Sequence, residues 1–331
     1  MNYEYVGILC GADDSILDLK YDGIEFEKET LTKEKMIEKY SVIPDNLDMS
    51  GVYIRKKNKY EIIKAKIIVS GKELDFINVE QNIHEKIDFF IKSMNMLTDG
   101  YLYVIYPIIS DSKNKEKMVF TYEFPSYDFQ KNSQTKRENR YLKKYKHQYL
   151  IEKMNIIKNN NILTTVKEVY NQYKLANNRD VEIILLTTCL EIFLIKKNEN
   201  ITEKISMRVA TLFSYKGNYK DVYKMMQLLY ALRSNIIHTG EHHKMNEYGK
   251  EFISFYMKND PPILKLGKFK FRHEKIEPPV AVLREIVRSL IILFIINNVN
   301  KDDILIEIEN LVVKHKIKFM ENDYPKEPLI F

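Results

Sequence analysis

The hydrophobic period of the chain changes once, near Pro125, and the change limits what each part can fold into. Before it, residues 52–54, 60–69, 74–79, 101–109 and 118–124 are rich in β-branched and aromatic side chains. Gly51, Gly71, Gly100 and a Lys-rich turn over 111–117 separate them, so they read as strands. Two helices are predicted among them, over 32–40 and 80–97. In the second, Ile83, Ile87, Phe90, Ile91 and Met94 form a stripe at helical spacing that Gly100 ends. Beyond Pro125 apolar residues recur at three- and four-residue steps over 163–175, 180–196, 202–215, 219–237, 245–257, 280–297 and 302–315. Breaks are predicted at 200–203 and 217–218, and the proline pairs at 261–262 and 278–279 bound an irregular stretch. The fold class is α+β, a mixed α/β domain followed by an all-α bundle. The expected boundaries are 1–130 for the first domain, 131–160 for a basic linker or helix, and 161–331 for the helical domain.

A chain of 331 residues, 45% hydrophobic and 30% charged, has the length of about two globular domains. Its two cysteines, Cys10 and Cys189, lie far apart without CxxC spacing. That pattern argues against a disulfide scaffold or a thiolate zinc site and fits a reducing cytoplasm. The first ten residues have no basic n-region and include Glu4, so they do not read as a signal peptide. The apolar run over 290–296 is too short to span a bilayer and reads as a core helix; no membrane partner is expected.

Net charge is +6, and one segment carries it. Residues 131–158 hold nine Lys/Arg against two Glu, while the rest of the chain has 43 basic and 44 acidic residues. Within the segment, Tyr141, Tyr145 and Tyr149 repeat at four-residue steps among Arg137, Arg140, Lys143, Lys144 and Lys146. One reading is a basic surface with aromatic platforms for single-stranded RNA. The other is an amphipathic helix that packs its tyrosines inward and leaves a solvated basic face. Charge steers an anionic polymer in either case. Asp13, Asp14 and His84 stand alone in the first domain and read as surface or turn residues.

The candidate chemistry lies in Ala231-Leu232-Arg233-Ser234-Asn235-Ile236-Ile237-His238-Thr239-Gly240. Arg233 can hold a phosphate with a forked, permanent charge, and His238 can move a proton near neutral pH. Together these two residue types can cleave RNA without a metal. Val222, Met225, Met226, Leu229 and Leu232 mark the apolar side of the preceding helix, and Thr239-Gly240 reads as its C-cap. Five positions on an unbroken helix set Arg233 and His238 about 140° apart. A joint site therefore needs a helix break between them or a second copy of the chain.

Three blocks carry a resemblance: Thr188-Cys189-Leu190-Glu191-Ile192-Phe193-Leu194, then Ile205 to Phe213 with Arg208-Val209-Ala210, then Leu229 to His238. Together they resemble the HEPN superfamily, and more narrowly its ApeA-like domains, over about half of the chain. The resemblance implies a helical bundle that dimerises and joins two Arg–His motifs in a cleft. It implies a metal-independent endoribonuclease of phage defence, toxin–antitoxin or RNA-processing systems, with tRNA or mRNA as substrate and no cofactor. The RNA 2′-hydroxyl attacks, leaving a 2′,3′-cyclic phosphate and a 5′-hydroxyl. His238 would be the general acid or base and Arg233 would bind the scissile phosphate. Ser234 or Asn235 would position the phosphate or orient the imidazole. Glu191 and Arg208 match family positions, either in catalysis or as a Glu–Arg pair buried between helices. The first domain would sense a protein or ligand trigger, or select substrate. Other family members have lost catalysis and serve as dimerisation or binding modules.

Two plainer readings stand beside this one. A basic pair at a helix C-terminus complements the helix dipole. His238 and His242 at i, i+4, with Glu241, have the spacing of a zinc site. Gly240 interrupts that helix and no supporting cluster follows, so no metal is expected, and His242 and His243 are placed on the surface near the RNA.

Overall fold

Alternation along residues 2–10 builds the middle of an antiparallel sheet. Strand β1 (Asn2–Cys10) sends Tyr3, Tyr5 and Leu9 to one face and Ile8 and Cys10 to the other, as a two-residue period requires. The computed structural model describes residues 2–12, 14–40, 59–70, 76–98, 102–111, 117–119, 147–213, 219–243, 246–259, 278–298 and 300–321. The chain forms two compact units, Met1–Asn155 and Ile156–Phe331.

In the first unit β1 is joined by β2 (Ile24–Thr32), β3 (Lys59–Ser70), β4 (Tyr103–Asp111) and β5 (Lys117–Val119) in the order β2-β3-β1-β4-β5. Every pairing is antiparallel. The β1–β4 register shifts between Val6 and Ile8. Gly7 sits at the shift, where a Cβ would stand 2.4 Å from Val104 Cγ1 and 2.7 Å from the Tyr5 hydroxyl. Helix α1 (Lys33–Tyr40) packs Met36 and Tyr40 on one face with Ile8, Cys10 and Ile62. Helix α2 (Phe76–Leu97) packs Val79, Ile83, Ile87, Phe90 and Met94 on the other, with Ile91 partly buried beside them. Asn95 closes the turn after α2, giving its amide to Leu102 O at 3.0 Å and accepting from Leu102 N at 2.5 Å. Helix α3 (His147–Asn159) adds Leu150 and Met154 to the same core.

Two expectations change here. The sequence reading places no strands over β1 and β2, yet β1 is the central one. Both alternate, but Glu and Lys dilute the apolar positions of β2 and Gly7 interrupts β1. The strand expected over 74–79 is helix from Phe76 onward, because Val79 extends the Ile83–Ile87 stripe by one turn and is buried with it. The expected strand at 52–54 and residues 120–124 lie outside the described residues.

The second unit is helical: α4 (Asn161–Leu175), α5 (Arg179–Leu194), α6 (Ile201–Phe213), α7 (Tyr219–Thr239), α8 (Glu247–Asn259), α9 (Pro278–Asn297) and α10 (Lys301–Glu321). Helix α5 is apolar on nearly all sides and packs against α4, α6, α7 and α9, which explains that composition. Asn160 and Asn178 cap α4 and α5 through their side-chain oxygens. Pro278 and Pro279 open α9, as suits a residue whose N–H would be unbonded there. Leu290, Ile291, Phe294 and Ile295 of the 290–296 run are buried in α9. No helix among the described residues is long and apolar enough to cross a membrane.

Candidate functional site

Helix α7 carries both candidate residues, and its local sequence sets where it stops. Val222, Met225, Met226, Leu229, Leu232 and Ile236 form its buried side. After Thr239 the chain turns left-handed at Gly240, with φ at 68°, and Gly240 N donates to Ile236 O at 3.0 Å. The Thr239 hydroxyl points at Asn235 O at 2.8 Å and Asn235 Oδ1 at 2.5 Å, and accepts from Glu241 N at 3.1 Å. Between Arg233 and His238 the helix is continuous. Of the two ways for them to share a site, the helix break is absent.

Arg233 leans on its own bundle. Its Nη2 lies 3.3 Å from Glu191 Oε1 of α5, with the two side chains 26% and 21% exposed. Glu191 Oε1 and Arg233 Nε are buried without a hydrogen-bond partner among the described residues. The pair is therefore a charge contact rather than an aligned fork. Burial raises the Glu191 carboxyl above its usual range, and the Arg233 charge offsets this only in part. Tyr230, also buried, donates to Thr187 O at 3.2 Å. Its phenol is pushed well above the usual value by burial first and the Glu191 carboxylate second, against the pull of Arg233. Glu191, Tyr230 and Arg233 thus form one electrostatic cluster between α5 and α7.

His238 is exposed in the last turn of α7 and makes no hydrogen bond or ion pair with the described residues. Ser234 and Asn235 are half-buried, and neither is hydrogen-bonded to His238; the Asn235 side chain is engaged by Thr239 instead.

Arg208 belongs elsewhere. Its side chain is fully buried in α6, and Nη1 and Nη2 meet Glu199 Oε2 and Oε1 at 2.6 and 2.7 Å. Nη2 also reaches Glu309 Oε1 of α10 at 2.6 Å, and Nη1 donates to Leu194 O. The Glu–Arg pair buried between helices is therefore not Glu191 with Arg208. Glu191 pairs with Arg233, and Arg208 ties α6 to α10 and to the α5–α6 turn. Its hydrogen bonds hold the Glu199 carboxyl down at about 2, against the opposing effect of burial and with help from Lys196 N.

A second cluster forms where α7 hands over to α8. Asp180, in the first turn of α5, accepts from His243 N at 3.1 Å and lies 2.6 Å from His243 Nδ1, both through Oδ1. Asp180 Oδ2 lies 3.9 Å from His242 Nε2. The two imidazole rings sit 4.3 Å apart. Of the two histidines expected on the surface, His242 is 48% exposed but His243 is buried, because its imidazole and its backbone N–H are both taken up by Asp180. Gly249 of α8 makes room for this turn, since a Cβ there would lie 2.0 Å from His243 O. Sequence spacing groups His242 with His238 and Glu241, but the fold joins it to His243 and to Asp180. The His-His pair was visible in the chain, but nothing local signalled a carboxylate some sixty positions upstream.

Arg137, Arg140, Lys143, Lys144, Lys146, Tyr141 and Tyr145 lie outside the described residues. Tyr149 is exposed, with Lys153 Nζ 5.0 Å over its ring. Cys10 and Cys189 are buried free thiols. Burial pushes the Cys189 thiol up to about 12 and the Cys10 thiol well above its usual range, so neither suits a nucleophile. No family model, curated protein or solved structure matches the chain.

Proposed function

We propose that the chain is a metal-independent endoribonuclease of the HEPN type, acting as a homodimer in the cytoplasm. One observation supports this above the others. An exposed His238, without partners among the described residues, follows a half-buried, charge-tethered Arg233 on one continuous helix. That geometry separates the two side chains within a copy and leaves a second copy to bring them together. In the reaction, one His238 takes the proton of an RNA 2′-hydroxyl, whose oxygen attacks the adjacent phosphorus. The P–O5′ bond breaks, and the leaving oxygen takes a proton from the second His238. Arg233 stabilises the charge that builds on the phosphoryl oxygens. The products are a 2′,3′-cyclic phosphate and a 5′-hydroxyl. Phage defence or a toxin system, with tRNA or mRNA as target and the N-terminal sheet domain as sensor or substrate selector, rests on family analogy.

A second reading is a non-catalytic dimerisation or binding module that recognises RNA or a protein. The Arg233–Glu191 contact favours it, because that arginine already has a carboxylate within its own bundle. Cleavage of tRNA and total RNA in EDTA, wild type against His238→Ala, separates the two. The nuclease reading expects wild-type products ending in cyclic phosphate and none from the variant. Activity surviving the substitution removes His238 from the mechanism, and wild-type activity that EDTA abolishes and added Mg²⁺ restores rejects the chemistry.

A further inference from the structure

We propose that Asp180, His242 and His243 form a binding site for one divalent ion of the zinc class. Imidazole and carboxylate are the donor types such ions take, and one donor atom from each residue lies within 4.8 Å of the other two. Donors bound at about 2.0–2.2 Å around one ion stand roughly 3.4 Å apart in a tetrahedron and about 4.4 Å apart at most. The 3.9 Å between Asp180 Oδ2 and His242 Nε2 already falls in that interval. It is too long for a hydrogen bond and suited to a shared ion.

The site is built from fixed and movable parts. Asp180 stands on the first turn of α5, where the Asn178 side chain accepts from Asp180 N at 2.8 Å. His243 is 1% exposed, its backbone N–H is bonded to Asp180 Oδ1, and its carbonyl abuts Gly249. Two ligands are thus held side by side before any ion arrives, and their 2.6 Å contact opens to about 3.4 Å when both bind it. His242, 48% exposed, supplies the adjustable ligand, the entry path, and a solvent side where water completes the coordination. An Asp–His hydrogen bond needs only one histidine. Here a second imidazole faces the other oxygen of the same carboxylate. On binding, the ion replaces the proton shared by His243 Nδ1 and Asp180 Oδ1, and that proton leaves to solvent.

An ion there would tie the turn after Gly240 to the start of α5 and so steady the end of α7. It takes no part in the proposed phosphoryl transfer, and the inference stands without the nuclease reading. The test uses untagged full-length protein, stripped with chelator and titrated with Zn²⁺ by calorimetry and with Co²⁺ by visible absorption. Wild type should take up one equivalent, release protons, and gain thermal stability in Zn²⁺. His242→Ala, which alters an exposed side chain, should keep its circular dichroism and weaken binding by on the order of 100-fold. His238→Ala should bind as wild type does. The proposal is overturned by absence of stoichiometric uptake in wild type, by unchanged affinity in His242→Ala, or by loss of binding in His238→Ala.

Discussion

Replacing Glu199 by Gln removes one charge from the carboxylates around Arg208 and leaves the shape nearly unchanged. The fully buried guanidinium then keeps Glu309 and Leu194 O, with one neutral amide oxygen in place of the Glu199 carboxylate. The magnitude follows from linkage. The folded-state carboxyl is lowered from 4.5 to about 2, so its stabilisation is complete well above 4.5 and disappears as pH falls through about 2. At about 1.4 kcal/mol per pH unit, this is at most about 3.5 kcal/mol at pH 7. The 16% exposure of the Glu199 side chain and the hydrogen bond a Gln can still accept reduce it to roughly 2 kcal/mol. Near pH 3 the same linkage leaves only about 1 kcal/mol. Urea unfolding followed by far-UV circular dichroism, at pH 7 and pH 3, measures both values, with equal slopes required for the comparison. Glu309→Gln serves as an internal reference. Its carboxylate is 42% exposed, so its loss should cost about 1 kcal/mol or less. A penalty for Glu199→Gln that is the same at both pH values, or smaller than that of Glu309→Gln, would refute the assignment of Glu199 as the main counter-charge.

Two glycines test the architecture around the site. Gly240→Ala meets nothing within 4 Å, so only its left-handed backbone opposes it, and thermal unfolding should show a loss of about 1–2 kcal/mol; no loss would mean the cap does not hold. Gly249→Ala puts a Cβ 2.0 Å from His243 O, a backbone atom with little room to retreat, and should cost about 2–3 kcal/mol although Ala favours a helix. The His243 imidazole resonances should shift in the same variant, and an unshifted spectrum with unchanged stability would contradict the close packing of α8 on this turn.

Much of the helical half can be read from residue types, because helix stripes and caps are local. The 3.6-residue period needs only near neighbours, so α7 and its buried Val222, Met225, Leu229 and Leu232 follow from spacing, and Gly240 follows from the conformation a helix end demands. The turn-by-turn stripe of α2 is legible for the same reason. Strands are harder to read. Glu and Lys dilute the alternation of β2 and Gly7 interrupts that of β1, so neither stands out, and only pairing with β3 and β4 makes β1 central.

For the candidate site, the tertiary structure shows the helix unbroken between Arg233 and His238; the chain by itself determined only that on such a helix the two stand about 140° apart. It did not determine their neighbours. Glu191 could face Arg208 or Arg233, and α5 packs against the helices carrying both; the interhelical packing chose Arg233 and gave Arg208 to Glu199 and Glu309. Asp180 meets His242 and His243 only because α5 begins where the turn after α7 passes. Partner choice among buried charges depends on which helix faces come within a few ångströms of each other, and local spacing carries no record of that.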